Sequence, residues 1–246
     1  AVAKSESGLY VIRDNNDMLI IDCGQIGPDY QPGHAHCDTL SYELYLDGRR
    51  VIVDAGVYDY ENSKERKYAR STRAHNTIAI DGQEQSEIWG VFRVARRARP
   101  IKAVLEQSDS NRAVFKGEHG GYQRLRQPVT HQRTIKYERA TGWSIIDELI
   151  GHGAHEIESF IHFAPDLKFG NMSKGWLSVV DGSTGQGVAE ILLPHELDIE
   201  VIQGKHFPEF GVCEENQVAR FYGEVVLPFC TEYRVMAVKP DARLSP

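Results

Sequence analysis

No apolar run in this 246-residue chain approaches the ~20 residues that a membrane-spanning helix requires. The opening residues, Ala1-Val2-Ala3-Lys4-Ser5-Glu6, lack the apolar core of a signal peptide. Cysteine is scarce too. Cys23, Cys37, Cys213 and Cys230 form no CxxC pair and no short disulfide framework, so reduced, mostly buried thiols are expected. Long stretches of helical period are also missing; only residues 61–73 hold the promise of a helical turn. Net positive charge is absent: the formal balance of −7 argues against a general nucleic-acid binder.

What the chain does have is period two. Leu9–Arg13, Met18–Asp22, Leu40–Leu46, Arg50–Asp54, Thr77–Asp81, Thr134–Tyr137 and Trp143–Asp147 alternate apolar and polar residues as half-buried strands do. Further on, Ile157–Phe163, Trp176–Val180, Ala189–Leu193, Ile199–Ile202 and Tyr233–Val238 read the same way. Asp47-Gly48, Asp81-Gly82 and Asp181-Gly182 supply the chemistry of tight turns. Many short strands with Gly/Asp turns predict an all-β fold, a large antiparallel sandwich, rather than an α/β one. No repeat, low-complexity tract or Pro/Ser-rich linker divides residues 1–246, so one domain is expected.

Candidate chemistry is densest between Gly33 and Asn76. His34 and His36 stand two residues apart, so an extended backbone sends both imidazoles to one face. A predicted strand then ends in Asp54, and His75 precedes another. Two imidazoles and a carboxylate form a zinc set with a position left open, which His36, Asp54 and His75 would complete across adjacent strands. The plainer alternative is that such histidines cap turns or satisfy carbonyls. The HxH pair is also similar to the cupin metal motif, but Glu43 lies too far from His36 for that pattern.

Several segments in order carry a more specific likeness. Gly33-His-Ala-His-Cys-Asp-Thr-Leu-Ser-Tyr-Glu-Leu, Val53-Asp-Ala-Gly-Val-Tyr-Asp-Tyr and Tyr68-Ala-Arg-Ser-Thr-Arg-Ala-His-Asn-Thr resemble the heparinase II/III-like polysaccharide lyases. Asp81-Gly-Gln-Glu-Gln-Ser-Glu, His119-Gly-Gly-Tyr-Gln-Arg-Leu and His131-Gln-Arg extend the resemblance over roughly the first two thirds of the chain. Its implications are specific. The fold would be the family's C-terminal, supersandwich-like β-domain, His34 a catalytic residue, and His36, Asp54 and His75 the ligands of one zinc ion with a structural role. The reaction would be β-elimination on a uronate-containing acidic polysaccharide, in a bacterial protein whose full-length form is expected in the periplasm. The family's tyrosine base and its uronate-neutralising group belong to an N-terminal α/α toroid, which this chain does not encode. The domain alone is therefore expected to be inactive.

Elimination takes the C5 proton of a uronate and expels the O4 substituent, so one group must accept a proton and another must donate one. An imidazole titrates near neutral pH and suits either task. The rival reading is a non-catalytic module with structural zinc that binds acidic glycans or packs on other domains. Arg70 and Arg73, just before His75, are candidates for binding carboxylate or sulfate, against the alternative of solvated loop charges. His119 and Tyr122, in a Gly-rich loop, are candidates for the same cleft or for turn stabilisation. His162 reads as a satisfied inner-face residue, and Trp89, Trp143 and Trp176 as core. Glu84 and Glu87 read as surface residues rather than a hydrolase pair.

Overall fold

The structure is a computed structural model and describes residues 2–4, 6–109 and 111–238. A five-stranded sheet runs in the order β1 (Val2–Lys4), β2 (Leu9–Asp14), β3 (Asp17–Asp22), β4 (Tyr42–Leu46), β5 (Arg49–Ile52). One short helix, α1 (Lys64–Ala69), and a 3₁₀ turn (Thr72–Ala74) follow, and then β6 (Ile78–Ile80). The second sheet has ten strands. Its remaining members are β7 (Pro100–Asp109), β8 (Arg112–His119), β9 (Thr130–Glu138), β10 (Gly142–His162), β11 (Leu167–Ser173), β12 (Trp176–Asp181), β13 (Gly187–Leu192), β14 (Asp198–His206) and β15 (Glu214–Ala237). They are ordered β11-β12-β13-β15-β10-β9-β8-β7, with β14 paired to β15 and β6 to β10. Every ladder between named strands is antiparallel.

Alternation places the core between the two sheets. Tyr42, Leu44 and Leu46 of β4 point inward while Glu43 and Tyr45 do not, and Tyr10 and Ile12 do the same on β2. They meet Phe115, Ile135, Trp143, Ile145, Phe221 and Tyr233 of the large sheet in one apolar cluster. The Tyr42 and Tyr233 hydroxyls hydrogen-bond across the layer at 2.9 Å, so neither phenol is buried unpaired.

Of the turn signals, Asp47-Gly48 joins β4 to β5 with φ of 48° and 78°, the left-handed pair that a type I′ hairpin demands. Asp81-Gly82 also has two positive φ values but closes only the single bridge Ile80–Gln83. Asp181-Gly182 does not make a two-residue turn. The Asp181 carboxylate instead accepts from the Ser183 and Thr184 amides, and the loop runs on to Gln186. The two segments Trp143–Asp147 and Ile157–Phe163 prove to be the two ends of β10, which continues through an irregularity between Leu149 and Gly153. The expectation for cysteine needs a correction as well. All four thiols are free, but only Cys23 and Cys37 are buried; Cys213 and Cys230 are exposed. No helix among the described residues is long and apolar enough to cross a membrane.

The two sheets meet beside the chemically dense segment. The Val53 amide donates to His162 O at the end of β10, and the Ala164 amide donates to Val51 O on β5. Asn76 cross-links the junction. Its side-chain amide donates to Tyr42 O and Val53 O at 2.8 and 2.9 Å, and its Oδ1 accepts from the His162 amide. The residues on either side of this junction are Asp54 and His75.

Candidate functional site

Asp54 follows β5 on a tight turn in which its Oδ1 accepts from the Gly56 amide at 2.9 Å. His75 closes the 3₁₀ turn Thr72–Ala74 and is fully buried. The two meet through His75 Nδ1 and Asp54 Oδ2 at 2.6 Å. His36 lies 8% exposed, with its ring centroid 5.3 Å from that of His75. Donor atoms of His36, Asp38 and His75 all lie within 4.8 Å of one another. The structure therefore groups His36 and His75 with Asp38, which the sequence reading left out, while Asp54, expected there as a ligand, reaches the group through its hydrogen bond to His75. Asp38 was detectable: His34, His36 and Asp38 share one parity in the chain, the spacing that aligns side chains on an extended segment.

Charge at this junction is unbalanced in a consistent way. Burial disfavours the Asp54 carboxylate, but His75 beside it overrides this and holds its pKa well below the usual carboxylate range. Burial likewise opposes a charged His75, yet the Asp54 charge and hydrogen bond raise its pKa to about 9. Burial and the neighbouring His75 push His36 down to about 3, so that ring is neutral at pH 7. Burial, and then the charge of Asp38, lifts Asp22 to about 7; Asp38 is itself raised, chiefly by burial. His75 Nε2 is buried without a well-formed hydrogen bond. Neutral His36 and the crowded carboxylates are donors of the kind that a divalent cation takes, and His75 could join them only by giving up the proton that Asp54 stabilises.

His34 has a different environment. It is exposed, on the turn closed by Ala35 N donating to Pro32 O, and lies between two other rings. Tyr60 meets it edge-on at 4.7 Å between centroids, and Phe92 stands at 6.4 Å. Both rings are half exposed, at 41% and 52%, and Phe210, at 63%, adjoins Tyr60 at 5.4 Å. These aromatic residues lie in loops with no strand alternation around them, so periodicity gave no sign of them.

Three other expectations change. Arg70 is 2% exposed and donates to the carbonyls of Ala35, Gly90 and Val91, while its Nη2 is buried without a partner beside a cavity lined also by Arg66, Lys67 and Glu84. Arg73 does reach solvent, with its nearest carboxylate, Glu158, at 3.9 Å. His119 and Tyr122 line no cleft: both are 0% exposed, and Tyr122 donates its hydroxyl to Ile78 O at 2.7 Å. His119 lies at the end of β8, a strand the alternation reading missed, and contacts His131 on β9. Trp143 is core as expected, but Trp89 is 56% exposed with the Arg93 guanidinium over its ring at 4.7 Å. His162 faces inward as expected and donates from Nε2 to Arg73 O at 2.9 Å, but it is only half satisfied, since its Nδ1 is buried without a partner.

Burial holds His162 at about 4, which makes a pH prediction. A histidine kept neutral in the fold and titrating near 6.5 when unfolded contributes stability at neutral pH. That stability is lost as pH falls from about 6.5 towards 4, because only the unfolded chain takes up the proton. His162→Gln should reduce the acid loss of stability over this window by about 3 kcal/mol relative to the parent, read by urea midpoints at several pH values. Parallel profiles for the two proteins would refute it.

Comparison with known proteins agrees with this architecture. The family model described as heparinase II/III-like, C-terminal matches residues 2–240. A heparin-sulfate lyase of Pedobacter heparinus is 27% identical over 157 residues, which are 61% of this chain and 21% of that protein. An exo-oligoalginate lyase of Saccharophagus degradans is 32% identical over 68 residues, covering 24% and 9%. A crystal structure of a mutant heparan sulfate lyase from Pedobacter heparinus superposes with a TM-score of 0.77 at 19% identity, over 97% of this chain and 36% of that one. The chain thus spans only about a fifth to a third of the length of these lyases. With the family match running through nearly all of it, the chain belongs to the heparinase II/III-like C-terminal family.

Proposed function

We propose that this chain is the metal-binding C-terminal β-sandwich domain of a lyase that cleaves a uronate-containing acidic polysaccharide by β-elimination. One observation carries the reading: an exposed imidazole, His34, stands between two exposed rings only two residues from the buried His/Asp cluster. The relatives named above act, by their names, on heparin sulfate and on oligoalginate, both acidic polymers.

Division of labour follows from burial. His36, Asp54 and His75 would hold a zinc ion, with Asp38 as a further donor. When bound, the ion supplies fixed positive charge that neutralises the crowded carboxylates and ties the loop of His36 to the sheet junction. His34, in solvent, is free to move a proton: its imidazole takes the C5 proton or hands one to O4 as the C4–O4 bond breaks and the C4=C5 bond forms. Tyr60 and Phe92 offer apolar faces to a sugar ring lying against His34. Other groups of the reaction, the second proton-transfer residue and the one that neutralises the uronate, would have to come from a toroid domain of the kind the resemblance implies. On this reading the domain alone turns over no polymer.

Two measurements test the proposal. Chelator-free protein should carry close to one equivalent of zinc by elemental analysis, lost in His36→Ala. At free zinc 100 times Kd the ion should add about 2.7 kcal/mol of stability. Protein with no divalent metal, and no stabilisation on adding zinc, would exclude the metal site. Full-length protein should produce unsaturated uronate, seen as an absorbance rise, from heparan sulfate or alginate. Binding of these polymers without any such rise would favour a non-catalytic glycan-binding module.

A further inference from the structure

Arg66 and Arg70 lie four residues apart, on α1 and at its C-cap, and so share one side of the turn. They are 3% and 2% exposed. Neither forms an ion pair among the described residues, and burial lowers the pKa of both. Burying two unpaired guanidinium groups costs stability, so their placement calls for another reason. Their hydrogen bonds supply it. Arg66 donates to Gly33 O at 3.0 Å, to Asp59 O at 3.0 Å and to Val91 O at 2.8 Å. Each of these carbonyls belongs to the residue immediately before a ring of the exposed trio: His34, Tyr60 and Phe92. The guanidinium carbon also lies 4.9 Å and 5.0 Å from the Tyr60 and Phe92 ring centroids. Arg70 extends the pattern by one step, donating from Nε to Ala35 O at 2.9 Å while its own carbonyl accepts from the Cys37 amide. Gly33 completes the fit, since a Cβ there would press on Phe92 Cδ1 at 3.3 Å.

We propose that Arg66 is a positioning residue that sets His34, Tyr60 and Phe92 relative to one another, with Arg70 holding the next carbonyl of the same loop. The catalytic side of this inference rests on the reading of His34 as a proton-transfer group; the clamp itself does not. Arg66 touches no substrate and acts only through the three segments it joins. A methionine at 66 keeps much of the buried stem but removes every donor. A lysine keeps the charge but cannot span three carbonyls with a planar fork.

Hydrogen exchange on the 246-residue protein tests the clamp directly. Arg66→Met should speed exchange at least tenfold for the Ala35 amide and its neighbours in residues 33–37 and 90–93, with β3, β4 and β10 unchanged. Arg66→Lys should give a smaller change in the same segments, and it is the variant to read if the methionine protein does not fold. Exchange in those segments that matches the parent in the folded variant would overturn the clamp. In the full-length protein Arg66→Met should lower kcat at least tenfold through His34 and raise KM through Tyr60 and Phe92. Arg66→Met combined with His34→Ala should lose no more kcat than His34→Ala alone, because the kcat effect of both passes through one imidazole. Losses in kcat that multiply in the double variant would overturn the assignment of Arg66 to His34. If His34→Ala alone leaves turnover intact, the proton-transfer reading fails, and the exchange result still decides the clamp.

Discussion

His34→Ala should remove most of the unsaturated-uronate signal of the full-length protein while leaving its zinc content and melting temperature where they were. A group that moves a proton in the transition state typically contributes ~10²–10⁴-fold to the rate, so the loss should appear in kcat and be far outside assay error. Why metal and fold should survive is visible in the surroundings. His34 is exposed and touches the edge of Tyr60, whereas His36 and His75 are buried in the junction. Truncating an exposed ring sacrifices little burial. The same change at His36 or His75 should reverse the pattern, stripping metal first. Should His34→Ala itself strip the zinc, His34 is a ligand and the division within the HxH pair is wrong. If zinc, stability and turnover all remain, proton transfer belongs to another residue.

The sequence carried the sheet architecture well where one strand face meets the core and the other meets water. β2, β3 and β4 alternate cleanly, and each was found within a residue or two. It failed where both faces carry polar groups or where glycine interrupts the pattern. β8 contains Lys116, Gly117 and Glu118, and its end, His119, was read as loop. β15 spans 24 residues, of which only the last few were marked, because Glu-Glu-Asn-Gln at its start carries no apolar alternation. The site divides along the same line. His36 and His75 were legible from residue type and order, and they lie side by side with Asp54 bonded to His75, whereas Asp38 was overlooked. Arg66, Tyr60 and Phe92 were not, since their roles depend on three loops converging from positions far apart in the chain. Arg70 was singled out by charge alone, and no charge pattern reveals that its partners are backbone carbonyls.

Asp147→Ala should destabilise the domain by about 3–5 kcal/mol, the largest stability effect expected of any single side chain here. Asp147 sits on β10 with no exposure, and its two oxygens accept from Arg133 Nε and Nη2 at 2.8 Å and from His131 Nε2 at 2.7 Å. Arg133 is equally buried, so the pair balances charges that neither could carry alone. The arrangement reaches the functional site because Arg133 Nη1 also donates to Leu40 O and Asn76 O, and Asn76 is the cross-link next to His75. Removing the carboxylate leaves a guanidinium without compensation in the core, and the chain must admit water or shift β9 to relieve it. For a domain of this size the melting temperature should fall by roughly 6–20 °C. Zinc affinity should weaken at the same time, through loss of order at Asn76 and His75. The control is the solvent-exposed pair Arg96–Glu87, whose removal should leave the melting temperature nearly unmoved despite its two hydrogen bonds. Equal effects from the two pairs would show that burial does not set the difference. Asp147→Asn separates charge from shape: it preserves the outline but removes the charge that compensates Arg133, so its destabilisation should approach that of the alanine variant. An asparagine protein as stable as the parent would mean that hydrogen-bond geometry, and not charge balance, holds Arg133 in place.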